Sequence, residues 1–295
     1  MPLPYLGSKR KSAGKIYQAI KNLNPKSTKL VDLLCGGFAI SEYFLKNGWS
    51  VLANDKNKYI IAILEQTILK DLDINKCLEF VSREKFFDVI NNPQKYENWY
   101  VGYVLSCWSF GNNQKGYLFG KTVEKHKKAG HELVINKNPE LIKKLIPNMP
   151  QKYLDGILKQ DNWHKRRIAL LKVCKYLKTR KFELQQLERL ERLERLEQLE
   201  QLAFSSLDYK EVKISKNDVI YCDPPYEKTA EYKESVNYKE FWNWCREKSK
   251  TNNVYISEYN APKDFRKILS FEQKSSLCGG TNQDQPNECL FTFDK

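Results

Sequence analysis

Lys29-Leu30-Val31-Asp32-Leu33-Leu34-Cys35-Gly36-Gly37 is the stretch that decides the fold. Its short apolar run predicts a buried strand, and the glycine pair turns the chain sharply. Helical spacing follows from Ala39 to Asn47, with Gly48 as its stop. Trp49-Ser50-Val51-Leu52-Ala53 reads as a second strand ending at Asn54-Asp55. Lys56 to Lys70 returns to helical spacing, with Ile60, Ile61, Ile63, Leu64 and Ile68 on one face. Strand, glycine turn, helix, strand and acidic residue together open a doubly wound α/β sheet.

Strand signals return only near the other end of the chain. Gln201 to Phe204 and Val212-Lys213-Ile214 are short candidates, and Val219-Ile220-Tyr221-Cys222 is a stronger one. Tyr238 to Lys248 is helical; its Phe241, Trp242 and Trp244 read as packing surface rather than as a platform for bases. Asn253 to Ser257 is a further strand, and Leu290-Phe291-Thr292-Phe293 is expected to close the sheet edge. Between these ends, residues 71–167 carry few strand signals and many Lys, Asn and aromatic side chains. Two readings fit that segment equally: a helical insertion with a solvated face, or a surface that tracks phosphates while side chains read bases. The loop Ser109 to Tyr117 holds Asn112, Asn113 and Lys115, and Lys165-Arg166-Arg167 adds positive charge. Residues 184–202 repeat leucine at every third position within a strongly helix-forming composition. A period of three drifts by about 60° per repeat on an α-helix, so no coiled-coil seam forms and a helical spacer over 168–202 is expected.

Composition narrows the function. The chain has 295 residues, 50 Lys plus Arg against 36 Asp plus Glu, a net charge of +14 and 13% aromatics. That balance suits a polyanion whose flat groups can be stacked upon, nucleic acid above all. No run approaches the ~18 apolar residues of a membrane span, and the N-terminus has no apolar signal core. A cytoplasmic protein without a membrane partner is expected. The 8 cysteines are scattered without a CxxC pair, which predicts reduced thiols. A metal site is not expected, and His126 and His131, in a lysine-rich stretch, read as surface side chains.

Asp223-Pro224-Pro225-Tyr226, at the end of an apolar strand, carries the chemistry. In open α/β sheets ligands sit beyond the carboxyl ends of strands. Two prolines remove two amide donors and leave carbonyls free to accept. The Asp223 carboxylate and Pro224 carbonyl then suit both hydrogens of an exocyclic amino group, while the Tyr226 ring stacks on the heterocycle. The plainer reading is a Pro-Pro turn that merely ends a strand. Cys222 precedes the acid instead of following a proline, so it reads as a buried structural thiol rather than a nucleophile.

Val31 to Ser41, Asp223 to Tyr226, Pro4-Tyr5-Leu6-Gly7-Ser8-Lys9, Asn54-Asp55, Val254 to Tyr259 and Glu288-Cys289-Leu290-Phe291 occur in one order along the chain. That ordered set resembles the DNA adenine-N6 methyltransferases of the Dam type, in particular their phage and prophage branch. The resemblance covers both ends of the chain and only loosely the middle. It implies a Rossmann-like α/β core that uses S-adenosylmethionine, formed by residues 1–70 and 203–295, with a mainly helical DNA-recognition insertion over 71–167. It implies no metal. Gly36 and Gly37 would let the backbone approach the cofactor, Asp55 would accept from its ribose, and Asp32 belongs to the same motif. Tyr5 and Lys9 would line its methionine end, and Asp223 would lie where cofactor and target amine meet. Asp208, ahead of the catalytic strand, is a candidate for bonding the cofactor's adenine amino group, the plainer reading being a helix cap or turn. Phe38 departs from the glycine-richer form of the motif.

The activity so implied is methyl transfer to N6 of an adenine flipped out of duplex DNA, with Asp223, Pro224 and Tyr226 catalytic. Asn112, Asn113, Lys115, Lys165 and Arg166 are candidates for DNA contact. Methylation of an RNA base or a protein glutamine is the alternative acceptor chemistry. Asn usually precedes Pro-Pro-Tyr in those enzymes, so Asp223 favours DNA. A basic DNA-binding protein with a decayed cofactor pocket is the non-catalytic alternative. A cognate restriction endonuclease is a candidate partner, and a monomer is the expected state.

Overall fold

A computed structural model describes Leu3 and residues 7–194, 201–225, 236–271 and 287–294. In chain order the elements are α1 (Ala13–Leu23), β1 (Lys29–Asp32), α2 (Ala39–Lys46), β2 (Ser50–Asn54) and α3 (Lys58–Ile68). There follow α4 (Ile74–Cys77), α5 (Arg83–Asn91), α6 (Asn98–Cys107), α7 (Lys121–Ile135), α8 (Glu140–Leu145), α9 (Gln151–Leu158), α10 (Trp163–Tyr176) and α11 (Gln185–Glu194). The chain then returns to strands: β3 (Leu202–Ser205), β4 (Val219–Cys222), α12 (Tyr238–Ser249), β5 (Asn253–Glu258), β6 (Phe265–Phe271) and β7 (Glu288–Phe293). Two compact units result, Met1–Leu69 with Gln198–Lys295, and Lys70–Glu197.

The first unit is a seven-stranded sheet in the order β3-β2-β1-β4-β5-β7-β6. β3, β2, β1, β4 and β5 run parallel; β7 is antiparallel to both β5 and β6. The central strands are buried on both faces, as parallel strands flanked by helices must be. Val31, Leu33, Ile220, Val254, Ile256, Phe241 and Trp242 form one core. Each such side chain contributes about 1.5–3 kcal/mol on burial. Asn57 and Asn237 cap α3 and α12 by accepting from the backbone of their first turns. Gly48, at φ 78°, ends the α2 turn as expected.

Two strand expectations need correction. The segment Val212-Lys213-Ile214 forms no strand; Val212 plugs the core face from a loop. Leu290 to Phe293 does not close the sheet, because β7 lies inside it and β6 forms the edge. β6 carries exposed Arg266 and Lys267 and a register shift between Lys267 and Leu269, devices that discourage pairing with another chain.

The second unit is helical. Leu187, Leu190 and Leu193 of α11 are all fully buried, with Gln186 and Glu191 beside them. Up to Glu194 the leucine repeat is therefore a core element of this unit, not a spacer; residues 195–200 lie outside the described residues. The drift is accommodated because three repeats turn through only about 120°, within the one broad face that α11 buries. Arg189 explains part of its placement: Nη1 donates to the carbonyls of Ser106, Cys107 and Ser109 at 3.3, 3.0 and 2.8 Å, closing the end of α6. His131 is likewise not a surface residue. It is buried, with Nε2 2.9 Å from the Leu78 carbonyl oxygen and its ring against Phe80 and Trp108. His126 is half-buried against Phe182. No helix among the described residues is long and apolar enough to cross a membrane.

Candidate active site at the carboxyl ends of the strands

The strand order reverses between β1 and β4, where Asp32 pairs in register with Tyr221. A crevice opens at such a switch point. Asp32 ends β1 and Asp223 follows β4, so topology brings the two acids to the same edge. The reversed β7 supplies a third. Because it runs antiparallel to β5, with Cys289 opposite Glu258, its first residue, Glu288, also reaches the carboxyl end of the sheet. Lys9, from the turn before α1, joins them: its Nζ lies 2.7 Å from Asp223 Oδ2 and 3.0 Å from Glu288 Oε1.

The turn after β1 is held by its neighbours. Leu33 N donates to the Tyr221 carbonyl at 3.0 Å and Cys35 N to the Asn54 carbonyl at 2.8 Å. Gly36, at φ 45°, donates its N–H to Asp55 Oδ2 at 3.0 Å, and Asn57 N donates to Asp55 Oδ1 at 2.8 Å. Gly37 accepts from Leu3 N at 2.9 Å. Phe38 takes φ 71°, a left-handed conformation that costs a non-glycine residue roughly 1–2 kcal/mol. Its fully buried ring, 5.7 Å from that of Phe204, offsets the strain. Ser41 Oγ donates to Asp32 Oδ2 at 2.7 Å, while the buried Asp32 Oδ1 has no partner among the described residues. An orphaned acceptor beside a glycine turn and a second strand-end acid fits a nucleoside-bearing ligand with hydrogen-bond donors.

The Pro-Pro turn is fixed from α12, where the Tyr238 hydroxyl donates to the Pro225 carbonyl. Glu258 Oε2 lies 3.4 Å from that hydroxyl, and its Oε1 accepts from Tyr259 N at 2.8 Å. Behind the turn, Tyr221 Oη and Ser257 Oγ are 2.7 Å apart. Pro224 is buried, and Asp223 keeps 20% of its side chain exposed. Tyr5 and Tyr226 lie outside the described residues. Asp208 stands in a turn, its Oδ1 accepting from Lys210 N and its Oδ2 3.1 Å from Lys56 Nζ. Cys222 is fully buried in the core, and the 7 described cysteines are free thiols.

Burial sets the electrostatics. It pushes the Asp32 carboxyl up to about 7, with the charges of Asp223 and Asp55 adding to the effect and the Ser41 hydrogen bond opposing it. Burial also raises Asp55, against its two backbone hydrogen bonds, and Asp223, against Lys9. Lys9 is desolvated too, but Asp223 and Glu288 outweigh that and hold it charged, above its usual range. No group of three or more His, Cys, Asp or Glu among the described residues could hold a metal ion. Sequence reasoning missed Glu288 and Tyr238 as members of this cluster. Glu288 lay in a recognised stretch, but only a reversed β7 gives it a role.

The basic candidates of the second unit separate. Phe110 N donates to the Gly116 carbonyl at 2.7 Å, and Ser109 and Tyr117 form an isolated antiparallel bridge, so their loop is well defined. Asn113 Oδ1 accepts from Lys115 N at 2.9 Å and Gly116 N at 3.0 Å, which makes it a shaper of the loop. Lys115 is exposed, and Phe110, 60% exposed at the tip, was not among the expected residues. Nothing is described of the Asn112 side chain. Lys165 is exposed and pairs with Asp161 at 2.9 Å. Arg166 corrects the expectation of a phosphate contact: it is buried and donates to the carbonyls of Val134, Gln160 and Asp161.

Among known proteins, a family model described as D12 class N6 adenine-specific DNA methyltransferase matches residues 5–273.

Proposed function

Because the chain belongs to the D12 class of N6 adenine-specific DNA methyltransferases, with S-adenosylmethionine as methyl donor, we propose that the strand-end cluster around Asp223 performs the transfer. The observation that carries this reading is the convergence of Asp223, Lys9 and Asp32 at the strand-order reversal, beside the Gly36 turn. S-adenosylmethionine, when bound, supplies a methyl carbon on a sulfonium sulfur, so that N6 gains an N–C bond as the C–S electron pair returns to sulfur. The fit is chemical: Asp32 Oδ1 offers an orphaned acceptor, and Asp55 and the Gly36 turn shape the cradle. Asp55 and Asp32 would hold the donor's hydroxyl and amino groups, with Lys9 toward its carboxylate end. Asp208 is assigned to its adenine amino group, Tyr5 to its methionine end and Gly37 to the close approach of the backbone.

The target adenine, extruded from the duplex at a cost of a few kcal/mol, presents N6 to Asp223 and the Pro224 carbonyl. Lys9 occupies Asp223 Oδ2, which orients the carboxylate and aims Oδ1 at the amine. Holding both N6 hydrogens localises the nitrogen lone pair, and orientation then supplies most of the rate. One N6 proton passes to Asp223, whose raised affinity for a proton suits the task. Tyr226 is assigned to stacking on the base. In the second unit, Asn112, Lys115, Lys165 and the exposed Phe110 are assigned to DNA: amide to base edge, ammonium to phosphate, and ring as an apolar wedge. We place the activity in the cytoplasm of a bacterium or infected host, with duplex DNA as partner.

The test is labelled-methyl transfer from S-adenosylmethionine to unmethylated genomic DNA, followed by nucleoside analysis. N6-methyladenine formed by the wild type and not by Asp223→Asn supports the site. Equal product from both moves the catalytic centre elsewhere.

A further inference from the structure

The 14 residues of α10 include no Asp or Glu. Its exposed residues, Lys165, Ile168, Lys172, Lys175 and Tyr176, fall within an arc of about 100° on an α-helix and so share one outward face. The inward cations are satisfied: Arg166 donates to carbonyls, and Arg167 and His164 share Glu191 of α11. α9 extends the outward face. The Tyr153 ring stands 5.1 Å from that of Tyr176, and Lys152 Nζ lies 5.4 Å from the Tyr153 ring centroid. Asp155 of α9 accepts from Gln151 at 2.8 Å, and Lys165 pairs with Asp161 at 2.9 Å. Lys152, Lys172 and Lys175 meet no carboxylate among the described residues.

A helix face that only meets water mixes acids with bases, because like charges at i,i+3 repel. Lys172 and Lys175 stand at that spacing. The helix dipole favours Lys175 in the last turn but opposes Lys165 in the first. Two large apolar side chains share the face, Tyr176 at 69% exposure and Ile168 at 47%. We propose that this face, α10 with Lys152 and Tyr153 of α9, is a second DNA-binding surface that grips the sugar-phosphate backbone and reads no bases. The inference rests on the DNA-methyltransferase reading and extends the assignment of Lys165. Lysine suits phosphate as a point charge and is depleted in protein–protein interfaces, so charge complementarity selects DNA over a protein partner. From Lys165 to Lys175 the helix rises about 15 Å, and one DNA strand offers a phosphate about every 3.4 Å of duplex axis, so the lysines reach separate phosphates. The Tyr176 hydroxyl adds a phosphate donor of the kind that positions a duplex. The outward face of α10 carries no Asn, Gln or Arg with which to read base edges.

The experiment follows binding of the full-length chain to random-sequence duplexes of about 30 base pairs by fluorescence anisotropy, from about 50 to 200 mM salt. Lys172→Gln combined with Lys175→Gln removes two charges and keeps helix propensity. The slope of log affinity against log salt is expected to shrink by about 2, and affinity at about 150 mM salt to fall about tenfold. On genomic DNA, KM for methyl transfer rises, kcat at saturating DNA holds, and the same adenines are methylated. Lys26→Gln combined with Lys216→Gln is the control: both lysines are exposed just before β1 and β4, at the strand ends opposite the candidate site. An equal change of slope there shows an effect of net charge alone and overturns the proposal. So does an unmoved slope in the α10 variant, or a change in which adenines it methylates. Tyr176→Ser is expected to weaken binding about threefold at constant slope. A shift in sedimentation with DNA binding untouched would make the face a contact between copies of the chain, and overturns it too. A wild type that binds and methylates DNA no better than the α10 variants rejects this surface alone. A wild type that neither binds nor methylates DNA rejects the reading on which it rests.

Discussion

The two units bury charge in opposite ways. In the helical unit the buried charges are largely cations, met by backbone carbonyls or, for Arg167, by the carboxylate of Glu191. Lys127 donates to Arg180 and Glu183, Arg166 to Val134, Gln160 and Asp161, and Arg189 to the end of α6. At the strand ends of the sheet unit the buried charges are mainly acids gathered around Lys9, and one of them keeps an acceptor for a ligand. Asp32 Oδ1 is orphaned, and Lys9 serves two carboxylates at once. A buried charge fully met from within holds the fold; one left wanting is held ready for a ligand. The largest test of this contrast is Asp223→Ala. Methyl transfer is expected to fall on the order of 10³-fold or more, the scale of removing a group aimed at the reacting atoms, with DNA binding retained in a gel-shift assay. Residual activity within tenfold of wild type would show the acid to be structural.

The converse test falls on Arg189. Its replacement by methionine keeps length and apolar bulk but strands three carbonyls at the end of α6. Unfolding of the helical unit, followed by urea titration, is expected to cost about 3 kcal/mol. A loss below ~0.5 kcal/mol would mean that those carbonyls are met in another way, and would weaken the contrast between the units.

Asp32 sharpens it from the other side. Its folded pKa is raised by burial and neighbouring acids from 3.8 to about 7. The folded state thus binds this proton more tightly than the unfolded chain does. Stability without cofactor is complete below the unfolded value, falls as pH rises from about 4 to 7, and stays reduced above that. Asp32→Asn removes the cost, so at pH 8 the variant is expected to be about 2 kcal/mol more stable, part of the ~4 kcal/mol that such a shift represents. Thermal melts at pH 8 and pH 4 check the sign, because the difference must shrink at the lower pH. Cofactor affinity should fall in the same variant. A rise in stability without a fall in affinity would remove Asp32 from the site.

How much of this was legible depends on whether the signal is local. Lys29 to Asp55 and Val219 to Asp223 are continuous apolar runs broken by glycine or proline, and both strands and their strand-end acids follow from that pattern. Glu288 is different: nothing in Glu288-Cys289-Leu290-Phe291 says that the strand runs backward, and only reversal brings it to Lys9. Arg166 sits in a basic triplet that reads as surface, yet helical geometry turns it inward onto carbonyls while Lys165 faces out. The leucine repeat reads as a drifting stripe because period alone does not say how wide a face of a helix is covered.

The smallest expected effect concerns Asn113, where the two roles of a polar side chain can be separated. Its Oδ1 is committed to the N–H groups of Lys115 and Gly116, so shaping the loop requires an acceptor and nothing more. Reading an adenine edge requires the amide donor as well. Asn113→Asp keeps the acceptor and loses the donor; Asn113→Ala loses both. If the residue only shapes the loop, the aspartate variant should methylate DNA within about threefold of wild type at moderate salt, and alanine should fall further through lost turn geometry. An aspartate variant as impaired as alanine would assign Asn113 to the DNA itself, beside Lys115. It would also mean that the helical unit, like the sheet unit, holds a polar group in reserve for its ligand.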